Sequence, residues 1–384
     1  MAKADGHNEQ CTMNNVQWKK VKLGDVCHPS NEKYNPLSEH EFQFCVEMEN
    51  INQESGNLNG RSDISKLLSL KNKFQKGDVL YGKLRPYLKK FWLADYDGVC
   101  STEIWVLKNA DYIDNQFLFY LFQSENINRI ANFSSGTKMP RADWQFMAKQ
   151  DVDIPFENGN PSLPAQRRIA AILSSADKVI EQTRQLISKY KSIKQGLMED
   201  LLKPKEGWKK VKLGECCEDI FSGKNTTRQD FGKYVVYGST GPIGYSEDYE
   251  YDFDAVLVAR VGANAGLVNK VSGLYDVSDN TLIIKILKNI DLNYLYYLLI
   301  HLNLNQFIFG SGQPLVTAGL LKKIETPIPY KNDKPDLAEQ RRIAKTLSGI
   351  DRKIEAEEKV LEKYEKIKKG LMERLLNEQC TMNN

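Results

Sequence analysis

The run LPAQRRIAAILSSAD at Leu163–Asp177 returns as LAEQRRIAKTLSGID at Leu337–Asp351, and the repetition continues from there. From Leu163 to Leu202 against Leu337 to Leu376 about half of the positions are identical without a gap, more than shared helical composition would give. Apolar residues recur at three-four spacing in both copies, which marks helices that bury one face against another helix. The first copy carries Ile169, Leu173, Ala176, Ile180, Ile187, Tyr190, Leu197 and Leu201, with Thr183 and Lys194 interrupting the pattern. The second carries Ile343, Leu347, Ile350, Ile354, Leu361, Tyr364, Leu371 and Leu375. A chain with two such seams and a globular segment between them is most economically read as an intramolecular antiparallel coiled coil. A coiled coil that pairs two chains is the alternative. Forty residues at about 1.5 Å each make a rod roughly 60 Å long.

Outward from the helices, WKKVKLGDVC at Trp18–Cys27 returns as WKKVKLGECC at Trp208–Cys217, so each half reads as one globular segment followed by one long helix. The two globular segments share an order of strands and turns but differ in their polar residues. Alternation at Phe42, Phe44 and Val46, then the runs DVLY from Asp78 and EIWVL from Glu103, read as strands of the first segment. A helix is expected from Asn115 to the turn that begins at Ser134. The second segment repeats the order with strands from Tyr234, Asp254 and Thr281 and a helix over Leu292–Phe307. Each segment closes on a proline-bearing edge, Asp153-Ile-Pro and Thr326-Pro-Ile-Pro, where proline marks the border with the helix. The expected division is a lead-in over 1–15, a first domain over 16–162, a helix over 163–205, a second domain over 206–335, a helix over 336–377 and a tail over 378–384. The octapeptide NEQCTMNN at Asn8–Asn15 recurs unchanged at Asn377–Asn384, which suggests a cyclic plan with a pseudo-twofold relation between the halves; a duplication of the DNA without structural consequence is the other reading. The fold class is therefore α+β, with two similar mixed or antiparallel β domains separated by two long helices.

The bulk composition fits folded domains: 384 residues, 41% hydrophobic and 27% charged. No run approaches the roughly 18 apolar residues of a membrane span, and the first residues lack a hydrophobic signal core, so a cytoplasmic protein is expected. Seven cysteines without a C-x-x-C pair suggest reduced thiols rather than a disulfide framework or zinc site, and no metal is expected. Net charge is only +3, but between Lys66 and Lys90 lie Lys66, Lys71, Lys73, Lys76, Lys83, Arg85, Lys89 and Lys90 against the single acid Asp78. Such a stripe can track phosphates, or it can be a solvated face. Catalytic motifs do not emerge: no GxxxxGK[ST] loop, no GxSxG elbow, no HExxH helix, and four histidines without partners at motif spacing.

The combination of QRRIA at Gln166 and Gln340, GDVLYGKLRPYL at Gly77–Leu88, AVLVARVGANAG at Ala255–Gly266 and the GSGQP turn at Gly310 resembles the specificity subunit of type I restriction-modification enzymes. The resemblance runs over essentially Val16–Asn377, in order and twice. It implies two target recognition domains, each reading half of a split double-stranded DNA sequence, with the helices setting the gap and docking two modification (methyltransferase) subunits. Two restriction subunits complete such assemblies, whose deoxyribonuclease and adenine-N6 methyltransferase activities use S-adenosylmethionine, ATP and Mg2+. This chain would hold no cofactor and perform no catalysis. Sequence is read in the major groove by Arg or Lys on guanine and Asn or Gln on adenine, while lysines and amides fix register on phosphates. Candidate DNA-contacting residues of these types are Lys83, Arg85, Lys138 and Arg141 in the first domain and Lys224, Arg228, Arg260, Asn264 and Gln313 in the second. Unlike residues at matching turns, TKMPR from Thr137 and QPLVT from Gln313, point to an asymmetric target. A nuclease or methyltransferase with an unrecognised centre, and a coiled-coil adapter that binds only proteins, are the competing classes.

Overall fold

A computed structural model of the chain describes residues 16–133, 139–307 and 315–376. Both copies of NEQCTMNN, together with the candidates Lys138 and Gln313, lie outside the described residues. The chain divides into two compact units, residues 1–182 with 361–384 and residues 183–360. Each long helix, Leu163–Leu202 and Leu337–Leu375, thus contributes one part to each unit.

The first unit is built on a four-stranded antiparallel sheet in the order Cys27–Pro29, Ile104–Asn109, Val79–Gly82, Phe91–Leu93. The second unit has the same order with Cys217–Ser222, Thr281–Ile286, Ala255–Ala259 and Val268–Val271. The central strands Val79–Gly82 and Ala255–Ala259 are buried at every position, and the reason is a core on both faces. Side chains alternate across a strand, so Val79 and Tyr81 enter one core while Leu80 enters another. In the second unit Val256 and Val258 part from Ala255 and Leu257 in the same way. One face is covered by helices. The other meets a sheet that contains one parallel pair in each unit, Phe44–Val46 with Gly98–Ser101 and Tyr234–Gly238 with Tyr275–Val277. The repeated WKKVK strand pairs antiparallel with the proline-bearing strand, bringing Trp18 opposite Pro155 and Trp208 opposite Pro329. The α+β class with mixed sheets is the architecture found.

The covering helices are shorter than their periodicity suggests. The first ends at Gln123 because Ser124 turns extended (φ −66°, ψ 150°) and its hydroxyl accepts from Ile127 N–H, starting a second helix, Glu125–Ala131. The other, Leu292–His301, is followed by Asn303 at φ 46° and a single 3-10 turn, Leu304–Phe307. Apolar spacing runs unbroken through both interruptions, so periodicity alone could not reveal them.

Each long helix begins inside the core of the unit it follows. Ile169, Ala170 and Leu173 share the first core with Leu375 and Leu376, which arrive from the end of the other long helix. Ile343, Ala344 and Leu347 share the second core with Met198 and Leu202. The two helices are therefore antiparallel within each unit. In the first unit Asp177 accepts from Tyr120 Oη at 2.8 Å and pairs with Lys368 Nζ at 2.6 Å. In the second, Asp351 accepts from Tyr297 Oη at 2.5 Å and pairs with Lys194 Nζ at 2.7 Å. Each ammonium also lies over its tyrosine ring, 5.8 Å and 5.5 Å from the centroid. Burial first, and the neighbouring carboxylate second, hold both phenols well above their ordinary range. Lys194, which interrupts the apolar spacing, is thus one of the helix's links to its antiparallel neighbour.

Elsewhere the expected seam is partly corrected. Ile180, Ile187 and Ile354 are buried and Leu197, Leu361 and Leu371 half-buried. Tyr190 is half-buried with the Lys353 ammonium over its ring. Tyr364, however, is 36% exposed and belongs to the outer face. Three-four spacing drifts around a straight helix, so a residue can satisfy the pattern and still leave the contact.

The glutamine of each QRRIA run is wholly buried and acts on backbone. Gln166 accepts from Asp114 N–H (2.8 Å) and donates to Tyr112 C=O (3.0 Å); Gln340 accepts from Asp291 N–H (2.8 Å) and donates to Asn289 C=O (3.4 Å). Asp114 and Asp291 cap the helices that follow them, so the glutamine joins a helix entry to the long helix. Removing it leaves a buried N–H unsatisfied. Gln340→Ala is expected to destabilise the second unit by about 1–3 kcal/mol, read as a lower thermal or urea midpoint. Arg341→Ala, whose exposed pair with Asp291 spans 3.9 Å, should move it by less than ~0.5 kcal/mol.

Candidate nucleic-acid interface

Beyond the strand Val79–Gly82 the chain continues as Lys83-Leu84-Arg85, held from two sides. Lys83 N–H donates to Glu103 C=O (3.0 Å), Lys83 C=O accepts from Ala142 N–H (2.9 Å), and Arg85 N–H donates to Pro140 C=O (2.8 Å). Leu84 and Arg141 form an antiparallel bridge. Three of the four first-domain candidates therefore share one short backbone ladder.

The second unit repeats this ladder with other side chains. Beyond Ala255–Ala259, Arg260 N–H donates to Asn280 C=O (2.9 Å), its C=O accepts from Val316 N–H (2.8 Å), and Val261 bridges Leu315. The chain then turns through Gly262–Gly266, where Ala265 N–H donates to Gly262 C=O and Gly266 N–H returns to Ala259 C=O, leaving Asn264 exposed. Gly262 sits at φ 79°, open to glycine and strained for other residues. In the first unit the equivalent turn is made by Arg85 itself, at φ 53° ahead of the 3-10 turn Pro86–Leu88. A left-handed arginine costs roughly 1–2 kcal/mol of backbone energy, which the ladder on either side must offset.

The candidates divide by charge partner. Arg141 is held by Glu103 in a fork, Nε to Oε2 at 3.0 Å and Nη2 to Oε1 at 3.1 Å, and this pairing raises its pKa. Lys224 pairs with Glu250 at 2.6 Å. Both cations are already neutralised. Lys83, Arg85 and Arg228 have no acidic partner among the described residues, and the Arg260 guanidinium reaches only the Ser222 hydroxyl (3.4 Å) and Asp279 C=O (3.5 Å). Those four are the cations available to an anion.

The basic stripe between Lys66 and Lys90 is not one surface. Lys71 is 3% exposed and pairs with Glu47, Lys73 pairs with Glu39 and Glu41, Lys89 with Glu54 and Glu125, and Lys90 donates to Met48 C=O. Strand alternation sends successive lysines to different faces, and their acids come from distant parts of the chain. Adjacency in sequence could not display either fact.

Around Arg260 the second unit gathers neutral polar groups. Ser239 Oγ donates to Asn280 C=O, Asn225 N–H donates to Val277 C=O, and the Asn225 side chain donates to Asp276. Gly223 is packed so closely that a Cβ there would lie 2.4 Å from the carbonyl oxygens of Val277 and Ser278. Phe231, between Asp230 and Gly232 in a polar connection, is 86% exposed and gives no signal in hydrophobic patterning.

Two copies of one mixed β module, each offering a different cationic edge on the same ladder, define a tandem recognition protein. The chain belongs to the type I restriction-modification DNA specificity family, whose domain model matches residues 15–191 and again 205–366. It is a specificity subunit, a non-catalytic part of such a system, with one domain for each half of a DNA target. The MjaVIII type I specificity subunit of Methanocaldococcus jannaschii is 26% identical over 334 residues, 75% of each chain. The EcoDI specificity subunit of Escherichia coli is 24% identical over 188 residues, 47% of this chain and 40% of that one. In fold the chain is similar to the S subunit from M. genitalium, with a TM-score of 0.65 at 18% identity, covering 95% of this chain and 97% of that one. No helix among the described residues is long and apolar enough to cross a membrane.

The Gly223 contact has a measurable consequence. Gly223→Ala forces two backbone carbonyls to move and is expected to cost about 1–3 kcal/mol. Gly319→Ala, with nothing within 4 Å in the helix Ala318–Lys323, should be neutral or stabilising by up to ~1 kcal/mol. Thermal unfolding of the two variants separates these outcomes, and equal midpoints would contradict the packing described.

Proposed function

We propose that the chain binds a bipartite, asymmetric double-stranded DNA target, one half per module, and scaffolds two methyltransferase and two restriction subunits around it in the cytoplasm. The observation that carries this reading is the repeated ladder: Lys83-Leu84-Arg85 in the first unit and Arg260-Val261-Gly262 in the second occupy the same hydrogen-bonded position with unlike side chains. A rigid frame with variable cations suits direct reading, because an arginine can discriminate guanine only if its backbone is fixed in the groove. Lys83, Arg85 and Lys138 would serve one half-site, and Arg228, Arg260, Asn264 and Gln313 the other. Arg141 and Lys224 would orient the surface through Glu103 and Glu250 and become available to DNA only by exchanging those partners. S-adenosylmethionine, ATP and Mg2+ would be bound by the partner subunits.

The long helices would set the number of unread base pairs between the halves. Inserting one turn into each, roughly 5 Å, should shift the tolerated gap by one to two base pairs at about 3.4 Å each. Mapping of methylated sites after co-production with the modification subunit reads this directly, and an unchanged gap would remove the helices from that role. In the same assay Arg85→Ala should relax or weaken one half-site and Arg260→Ala the other, by about 1–3 kcal/mol per lost bidentate base contact. Equal loss in both halves would indicate a folding defect instead.

A further inference from the structure

In each unit one strand of the parallel pair returns to the four-stranded sheet through a short turn, Thr102-Glu103 after Gly98–Ser101 and Asp279-Asn280 after Tyr275–Val277 and Ser278. Both turns meet the recognition ladder through the same bond: Lys83 N–H donates to Glu103 C=O (3.0 Å) and Arg260 N–H to Asn280 C=O (2.9 Å). Asn280 C=O accepts a second time, from Ser239 Oγ (3.3 Å). Thr281 N–H closes the turn on Ser278 C=O (3.1 Å), and the hydroxyls of these two buried residues lie 3.4 Å apart. Asn280 itself is exposed. Its side chain thus rises from a fixed backbone beside Arg260, whose guanidinium reaches the neighbouring Asp279 C=O (3.5 Å).

The matching positions carry different chemistry. Glu103 holds the Arg141 fork, but where Leu84 bridges Arg141 in the first unit, Val261 bridges Leu315 in the second, and Leu315 is 44% exposed. An acid and its cation give way together to an amide and an apolar side chain. A surface for a protein partner common to both modules would repeat its residues, as WKKVK and QRRIA do, whereas a surface that reads unlike half-sites must change them. The adjacent acid, Asp279, is also exposed, and its Oδ1 accepts from Asn280 Nδ2 at 3.0 Å. That bond uses one amide hydrogen. The other hydrogen and Asn280 Oδ1 have no hydrogen-bond partner among the described residues.

We propose that Asn280 is a base-reading residue of the second module and specifies an adenine in the major groove, next to the contact made by Arg260. Asn280 Oδ1 accepts from the adenine N6 amino group, and the free Nδ2 hydrogen donates to N7. Adenine alone among the bases presents that donor and acceptor side by side in the major groove. Asp279 is a positioning residue, since its carboxylate takes the remaining amide hydrogen and fixes the plane of the amide. An ionised Glu103 has no hydrogen to donate, so the first module cannot make this contact at its matching position. The inference rests on the DNA-reading function proposed above and adds to its candidates a residue that selects one base.

The test uses the full chain assembled with its modification subunit and duplexes selected from a randomised library. Asn280→Ala should lose the preference for adenine at one position of one half-site, by about tenfold or more, while the other half-site and the thermal midpoint stay as in the wild type. Asn280→Asp should lose the same preference, because a carboxylate cannot donate to N7. Replacing that adenine by 7-deazaadenine, which pairs normally but lacks N7, should weaken wild-type binding and leave Asn280→Ala unaffected. Unchanged selection in both variants, a loss spread equally over both half-sites, or an equal response of wild type and Asn280→Ala to 7-deazaadenine overturns the proposal and leaves DNA reading intact. A wild-type complex that selects no duplex overturns the DNA-reading function itself.

Discussion

Each unit depends on a helix that arrives from elsewhere in the chain. Leu375 and Leu376 complete the core around Ile169 and Leu173, and Met198 and Leu202 complete the core around Ile343 and Leu347. Hydrophobic burial brings these ends in, but it is non-directional and would tolerate a slipped helix. Direction is added by a repeated triad in which one aspartate receives a phenol from the module and an ammonium from the opposite helix. Asp177 and Asp351 are equivalent positions of the repeat, as are Lys194 and Lys368. Duplication of one helix therefore supplied both halves of both triads at once.

This arrangement separates the frame from the reading surface. The frame is held by interactions that recur in the two units: the buried glutamine of QRRIA, the capped helix entry, and central strands that divide their side chains between two cores. The surface is free to differ because it lies on connections whose backbone is satisfied by the ladder and whose side chains are not needed for packing. Loops on a rigid scaffold commonly carry function for this reason. Arg85 in the left-handed region illustrates the cost the frame can absorb at such a place.

Charge was the least transferable reading. Lys71, Lys89, Arg141 and Lys224 look alike in a sequence, yet one is buried against Glu47 and the others meet Glu125, Glu103 and Glu250 across long stretches of chain. Lys83, Arg85, Arg228 and Arg260 retain a charge with no carboxylate beside it among the described residues. The number of available cations is thus smaller than the number of basic residues, and the pairing is decided by strand alternation and by which acids the fold brings near.

The sequence by itself determined the duplication, the two long helices, the like succession of strands along the two segments and the α+β class, because these rest on periodicity and on repeated words such as WKKVK and QRRIA that need no partner to be read. It also placed Lys83, Arg85 and Arg260 on connections at strand ends. Only the tertiary structure decided that the glutamines are internal latches, that Lys194 is a link rather than an interruption, that Tyr364 faces outward, and which cations are already paired. Those properties depend on contacts between residues far apart in the chain, and local spacing carries no record of them.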